Sequence, residues 1–162
     1  MAINHDQIKK LIGEKEEVII FEIGCADGRD TRKFLQTFGN NLKLYTFDPE
    51  PVNIKALTVL GTLNCVDELN DDIIQDSRNI FHPYAMCEED KTLTFKRSRT
   101  LGCPGEGYEV GRYSGSIHDP VNQASMYTGI LFDQTVESQG RSIDSFCKEK
   151  SIEYIDFIWM DT

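Results

Sequence analysis

Four acidic side chains and a pair of glycines carry most of the chemistry this sequence offers. Glu22 precedes Gly24, and Gly28 follows, in Phe21-Glu22-Ile23-Gly24-Cys25-Ala26-Asp27-Gly28. Asp48 comes about twenty residues beyond Gly28, with Glu50 behind it, in Phe47-Asp48-Pro49-Glu50-Pro51. Asp161 follows the apolar run Tyr154-Ile155-Asp156-Phe157-Ile158-Trp159-Met160. Gly24 lets the backbone turn sharply and lets a ligand approach, and Gly28 lets a following helix pack close. The spacing is GxxxG, not the GxGxxG of a dinucleotide turn or the GxxxxGK[ST] of a phosphate loop. A carboxylate at Glu22 suits an ammonium group, and one at Asp48 can accept two hydrogen bonds from a ribose diol. The five cysteines (Cys25, Cys65, Cys87, Cys103, Cys147) contain no CxxC pair, and His5, His82 and His118 lie far apart. Neither a disulfide framework nor a zinc site is signalled, so the thiols read as small buried hydrophobes and the site as metal-free.

The elements around these residues follow a strand–helix rhythm. Asn4 to Ile12 reads as an amphipathic helix, with Ile8, Leu11 and Ile12 on one face, Asn4 and Gln7 as a capping box, and Gly13 ending it. Val18 to Phe21 is a buried strand running into the glycine turn. Arg29 to Phe38 is a helix with Phe34, Leu35 and Phe38 inward and Gly39 as its cap. Lys43 to Phe47 is a second strand, and Pro51 opens a helix carrying Val52, Ala56, Leu57 and Leu60. Ile80 to Met86 reads as a third strand. Thr92 to Phe95 is a fourth, antiparallel, reached by the turn at Glu88-Glu89-Asp90. Leu131 to Val136 forms a further strand, Ser142 caps a helix through Lys150, and Tyr154 to Met160 is the last buried strand. This alternation predicts a mostly parallel, three-layer α/β/α sheet. In such sheets ligands bind outside the carboxyl ends of the strands, where Glu22, Asp48 and Asp161 would converge.

Composition narrows the rest. The 162 residues hold 27 acidic and 17 basic side chains, a formal charge of −10, which argues against nucleic acid as a partner. No apolar run reaches the ~20 residues of a membrane span, and the polar start Met1-Ala2-Ile3-Asn4-His5-Asp6 lacks the order of a signal peptide. A cytoplasmic protein of one domain, residues 1–162, is expected. The acidic stretch 67–76 reads as a solvated helical face. Residues 99–129 gather six glycines and the tyrosines Tyr108, Tyr113 and Tyr127, the composition of a long binding loop or lid.

A ligand made of an amino acid and a ribose, without phosphate, describes S-adenosylmethionine. The motif Phe21 to Thr31 (acidic residue, Gly, three residues, Gly, then Thr31) resembles the first motif of class I S-adenosylmethionine-dependent methyltransferases, and the FkbM-type family fits best. Tyr45-Thr46-Phe47-Asp48-Pro49-Glu50-Pro51 resembles its second motif. Tyr84 to Phe95 resembles the next strand, turn and hairpin strand, and Ser142 to Phe146 with Ile155 to Asp161 resembles the end of the domain. The resemblance spans about residues 18–162. It implies a Rossmann-like sheet in which Glu22 binds the methionine ammonium, directly or through water, and Gly24, Cys25 and Ala26 give backbone contacts. It also implies Asp48 on the ribose, Pro49 beside the adenine, Ala85 in the adenine pocket and Asp161 near sulfonium and acceptor. The implied reaction is O-methylation of a hydroxyl on a sugar-like or other small molecule.

Methyl transfer mainly requires alignment of the acceptor, and a hydroxyl acceptor gains from a base near its proton. Asp161 and His118, the latter in Tyr113-Ser114-Gly115-Ser116-Ile117-His118, are the two candidates. In the family Asp161 leads into a Gly-x-Glu segment that this chain lacks, so the domain reads as truncated after its fourth core strand. Two other readings stand beside this one: a non-catalytic fragment of such a domain, and a nicotinamide-dependent dehydrogenase, which the GxxxG spacing disfavours. The last strand, apolar on both faces, is expected to expose an edge that promotes self-association into a homo-oligomer.

Overall fold

The structure, a computed structural model, describes residues 4–55, 75–100, 115–119 and 129–161. In chain order the elements are α1 (His5–Ile12), β1 (Val18–Ile23), α2 (Arg29–Thr37), β2 (Leu42–Phe47), α3 (Pro51–Lys55), β3 (Asn79–His82), β4 (Tyr84–Met86), β5 (Lys91–Thr100), β6 (Ile130–Arg141), α4 (Ile143–Lys150) and β7 (Phe157–Met160). Four strands form a parallel sheet in the order β3–β2–β1–β7. The continuous apolar run of β1 explains its central place, since both of its faces are buried. Val18 and Ile20 meet Ile8 of α1 and Phe34 and Leu35 of α2 on one face. Ile19, Phe21 and Ile23 meet Phe146 of α4 on the other. The sheet thus has helices on both sides, the three-layer α/β/α architecture expected from the strand–helix alternation.

Local signals fixed several boundaries. Asn4 and Gln7 form the capping box, Pro51 starts α3, and the Ser142 hydroxyl accepts the Ser145 N–H at 3.2 Å. Other expectations are corrected. Leu11 is 73% exposed, so the inward face of α1 rests on Ile8 and Ile12. Helix α2 ends at Phe38 in extended backbone, not at Gly39. The stretch 80–86 is two strands, because Pro83 has no N–H for the ladder and breaks the pairing. The last strand covers Phe157–Met160 only.

The largest correction concerns the strand at Thr92–Phe95. It does not form a hairpin with its predecessor but belongs to a second, mixed sheet ordered β4–β6–β5. Strand β6 is longer than the expected 131–136, and it lies parallel to β4 and antiparallel to β5. Asp90 in the turn after β4 draws it in: its carboxylate accepts the Ser142 N–H at 2.8 Å and pairs with Arg141 at 3.2 Å. The helix positions Ala56, Leu57 and Leu60, the acidic residues before position 75, and Tyr108, Tyr113 and Tyr127 lie outside the described residues.

Candidate functional site

The turn between β1 and α2 is fastened to the end of β2. Gly24 N–H and Cys25 N–H both donate to the Phe47 carbonyl, at 2.8 and 3.1 Å. Ala26 N–H donates to Asp48 Oδ2 at 2.8 Å. Gly24 and Gly28 hold positive φ angles of 83° and 75°, which glycine adopts at little cost. Ala26 also stands at φ 46°, where a side chain costs about 1–2 kcal/mol. The Asp48 hydrogen bond offsets that strain. The three amides of this turn are therefore engaged within the protein. What the turn offers a ligand is close backbone approach, with these three amides not free to hold a phosphate.

Glu22 is 1% exposed and points beneath α2, where Thr31 Oγ1 donates to its Oε2 at 2.7 Å. Burial lifts its pKa from 4.5 to about 8, with the Thr31 hydrogen bond pulling the other way. Alone, this carboxyl holds its proton at neutral pH, and a cation beside it would release that proton. Asp48, 4% exposed, takes Glu50 N–H at 2.9 Å and Asn53 Nδ2 at 3.2 Å on Oδ1, beside Ala26 N–H on Oδ2. Burial raises it to about 6, against those hydrogen bonds. Burial, followed by the Asp48 and Glu22 charges, also pushes the Cys25 thiol well up, so it packs as a neutral hydrophobe.

These groups open onto one cavity of about 800 Å³. Glu22, Gly24, Cys25, Ala26, Asp48 and Pro49 line it, as do Ala85 in the middle of β4, the exposed His118, and Asp161. Asp161 is drawn in because its N–H continues the β1 pairing to the Ile23 carbonyl at 3.0 Å. Gly28 and Thr31 do not line the cavity. Gly28 caps α2, and Thr31 acts from behind the wall by holding Glu22.

One residue that braces the site, Arg97, has no motif to announce it. The Glu50 carboxylate lines the cavity wall and is gripped by Arg97 of β5, with Nε at 2.9 and 3.1 Å and a terminal nitrogen at 2.6 Å. The Glu50 side chain is buried and that of Arg97 is largely covered, at 2% and 12% exposed. The available signal was parity: Phe95 and Arg97 are two apart on a strand and so share its inner face.

The chain is 32% identical over 157 residues to a 2-O-methyltransferase, NoeI, of Sinorhizobium fredii (strain NBRC 101917 / NGR234), covering 97% of this chain and 57% of that protein. The chain is similar to methyltransferases. A second relative, a cobalt-precorrin-5B C(1)-methyltransferase of Alkaliphilus metalliredigens (strain QYMF), is 28% identical over 100 residues, 60% of this chain and 25% of that protein. The chain thus spans little more than half of the first relative and a quarter of the second. No family model matches the chain, and no solved structure does.

Proposed function

We propose that this chain carries the cofactor-binding part of an S-adenosylmethionine-dependent O-methyltransferase of FkbM type. One observation carries the reading. Two buried carboxylates, Glu22 and Asp48, stand at the carboxyl ends of adjacent parallel strands on either side of a turn whose amides are already bonded. That donor set fits a ligand with an ammonium group and a diol and no phosphate. Glu22, steadied by Thr31, would hold the ammonium. Asp48 would take the ribose hydroxyls while keeping the turn closed. Pro49 and Ala85 supply apolar surface for a base.

S-adenosylmethionine, when bound, supplies an activated methyl group. The protein's part is to align a hydroxyl acceptor with it and exclude water. Asp161 and His118 share the cavity, which supports them as the residues that would accept the hydroxyl proton. The acceptor would be a small molecule or a glycan. Cys25, Cys87 and Cys147 are free thiols, which supports a cytoplasmic setting. Among the described residues no helix is long and apolar enough to cross a membrane.

The dehydrogenase alternative is disfavoured by the same turn. A dinucleotide pyrophosphate needs free backbone N–H groups at the start of α2, and there Gly28 N–H donates to the Cys25 carbonyl at 2.8 Å and Arg29 N–H to Asp27 Oδ1 at 3.2 Å. Calorimetric titration with S-adenosylhomocysteine and with NAD tests the choice. Binding of the first and not the second is expected, and the reverse would refute the proposal.

A further inference from the structure

The cavity has two halves. One is the carboxyl end of the parallel sheet, with Glu22, Asp48 and Asp161, and the other is built by the mixed sheet, with Ala85 of β4 and Phe95 of β5. The two are joined behind the wall, where Arg97 of β5 grips Glu50 in the link between β2 and α3. Arg97 itself does not line the cavity, whereas Glu50 does. The guanidinium bonds both carboxylate oxygens of Glu50, and Gln134, its cross-strand neighbour on β6, accepts from a terminal nitrogen at 3.4 Å. The register of β5 against β6 shifts just after this point, between Arg97 and Arg99. Irregularities of that kind occur beside functional sites, where they re-aim a side chain.

Glu50 governs how Asp48 stands. Three protein donors occupy the Asp48 carboxylate: Ala26 N–H on Oδ2, and Glu50 N–H and Asn53 Nδ2 on Oδ1. The direction left open to a ligand is therefore set by where those donors stand. Two of the three depend on Glu50. One is its own N–H. The other is carried by α3, where Ile54 N–H donates to the Glu50 carbonyl at 2.9 Å. A Glu50 free to turn would take both donors with it. The two-pronged grip of Arg97 fixes Glu50 in direction as well as in distance. Both charges are taken largely out of water, so an apolar pair of similar volume would serve stability as well or better. Direction is what the ion pair adds.

We propose that Arg97 is a positioning residue that holds Asp48 through Glu50, and that this hold sets the preference for a ligand bearing a vicinal diol over the same ligand with one hydroxyl removed. The identity of that ligand rests on the S-adenosylmethionine reading, and the hold on Asp48 does not. The test compares the wild type, Arg97→Met, and the double variant Glu50→Leu with Arg97→Met, in which apolar packing replaces the buried pair. Calorimetry gives two affinity ratios for each protein. S-adenosylhomocysteine over its 2′-deoxy analogue reports the diol, and S-adenosylhomocysteine over 5′-methylthioadenosine reports the amino-acid end at Glu22. The diol ratio should be about tenfold or more in the wild type, the cost of losing a hydrogen bond to a charged acceptor. In both variants it should fall to about twofold or less, while the amino-acid ratio stays within about twofold of the wild type, as for separate contacts. A merely structural pair would move both ratios together or, in the double variant, neither. Hydrogen exchange without ligand follows the hold directly. Ala26 N–H, which donates to Asp48, should exchange about tenfold faster in the double variant, with Ile20 N–H in the central strand exchanging as in the wild type. If Arg97→Met does not fold, the double variant decides. The proposal is overturned if the wild type shows no diol preference, if that preference survives in the variants, if both ratios fall together, or if Ala26 stays as protected as in the wild type. A wild type that does not bind S-adenosylhomocysteine, with Ala26 released in the double variant as expected, would sink the cofactor reading and leave the hold on Asp48 standing.

Discussion

Replacing Glu22 with glutamine separates the stability of this protein from its ligand chemistry. In the native state Glu22 titrates near 8 against an ordinary 4.5, because burial disfavours its charge. The folded form therefore prefers the proton more than the unfolded chain does. Its contribution to stability is fully present below pH 4.5 and is lost as pH rises to about 8. At about 1.4 kcal/mol per pH unit, the loss sums to roughly 4–5 kcal/mol, a large part of the 5–15 kcal/mol typical of a domain. Glutamine keeps an oxygen for the Thr31 hydroxyl and cannot ionise. Its amide hydrogens need partners in the same buried place, which sets an offset of about 1–3 kcal/mol independent of pH. The pH dependence is therefore the diagnostic, not the stability at one pH. Urea denaturation of both proteins from pH 4.5 to 9 should show the variant gaining on the wild type by about 4–5 kcal/mol across that window. Parallel curves would show that Glu22 is already ionised in the native state, and the account of its burial would fail. The ligand side moves the opposite way. An ammonium group needs the ionised carboxylate, so wild-type binding of S-adenosylhomocysteine near pH 7 should expel a proton, read as a dependence of the calorimetric heat on buffer ionisation enthalpy. Glu22→Gln should bind more weakly and without that proton.

Three further outcomes follow from the same geometry. Asp48→Ala should weaken S-adenosylhomocysteine binding by roughly 1–3 kcal/mol in calorimetry, and an unchanged affinity would remove the ribose assignment. Arg97→Ala removes a paired cation from the buried Glu50 carboxylate and should lower stability to urea by about 3–5 kcal/mol, while the double variant Glu50→Leu with Arg97→Met recovers most of the loss; a single variant as stable as the wild type would show that the pair does not brace the fold in solution. Ile158 and Met160 on β7 are 40% and 60% exposed, and among the described residues β7 pairs with β1 alone; self-association through this strand is proposed, to be seen by light scattering at micromolar concentration and abolished by Ile158→Lys. A monomeric wild type would refute it.

The parallel sheet was legible because its signals are short-range. A continuous apolar β1, a glycine turn, an Asp-Pro-x-Pro helix start and a capping box each declare themselves within a few residues. The convergence of Glu22, Asp48 and Asp161 then followed from the general rule for strand ends. The second sheet was not legible, because pairing between strands far apart leaves no local mark. Nothing within residues 84–95 says that β6, some forty residues on, will separate β4 from β5. Asp90 effects this through Ser142 and Arg141, contacts that cross about fifty residues of chain. The same distance hid the grip of Arg97 on Glu50. The reading of Gly28 as a packing glycine missed its left-handed backbone, since spacing alone does not distinguish the two uses.

Residues 48–53 join the two halves of the cavity. Asp48 reaches back to Ala26 and fixes the β1 turn. Glu50, two residues on, reaches forward to Arg97 and fixes the mixed sheet. Asn53 bonds Asp48 from α3 and holds that carboxylate in place. Through these few residues the parallel sheet and the mixed sheet are held in one geometry around the cavity. The arrangement concentrates features that weaken an empty fold: a left-handed alanine and two carboxyl groups, Glu22 and Asp48, whose charge burial resists. Such local violations collect at functional sites, where a ligand relieves them. An ammonium group would relieve Glu22 and hydroxyl donors would relieve Asp48, whereas an anionic group relieves neither. The chemistry of the cavity therefore selects the charge of its ligand before any single contact selects its shape.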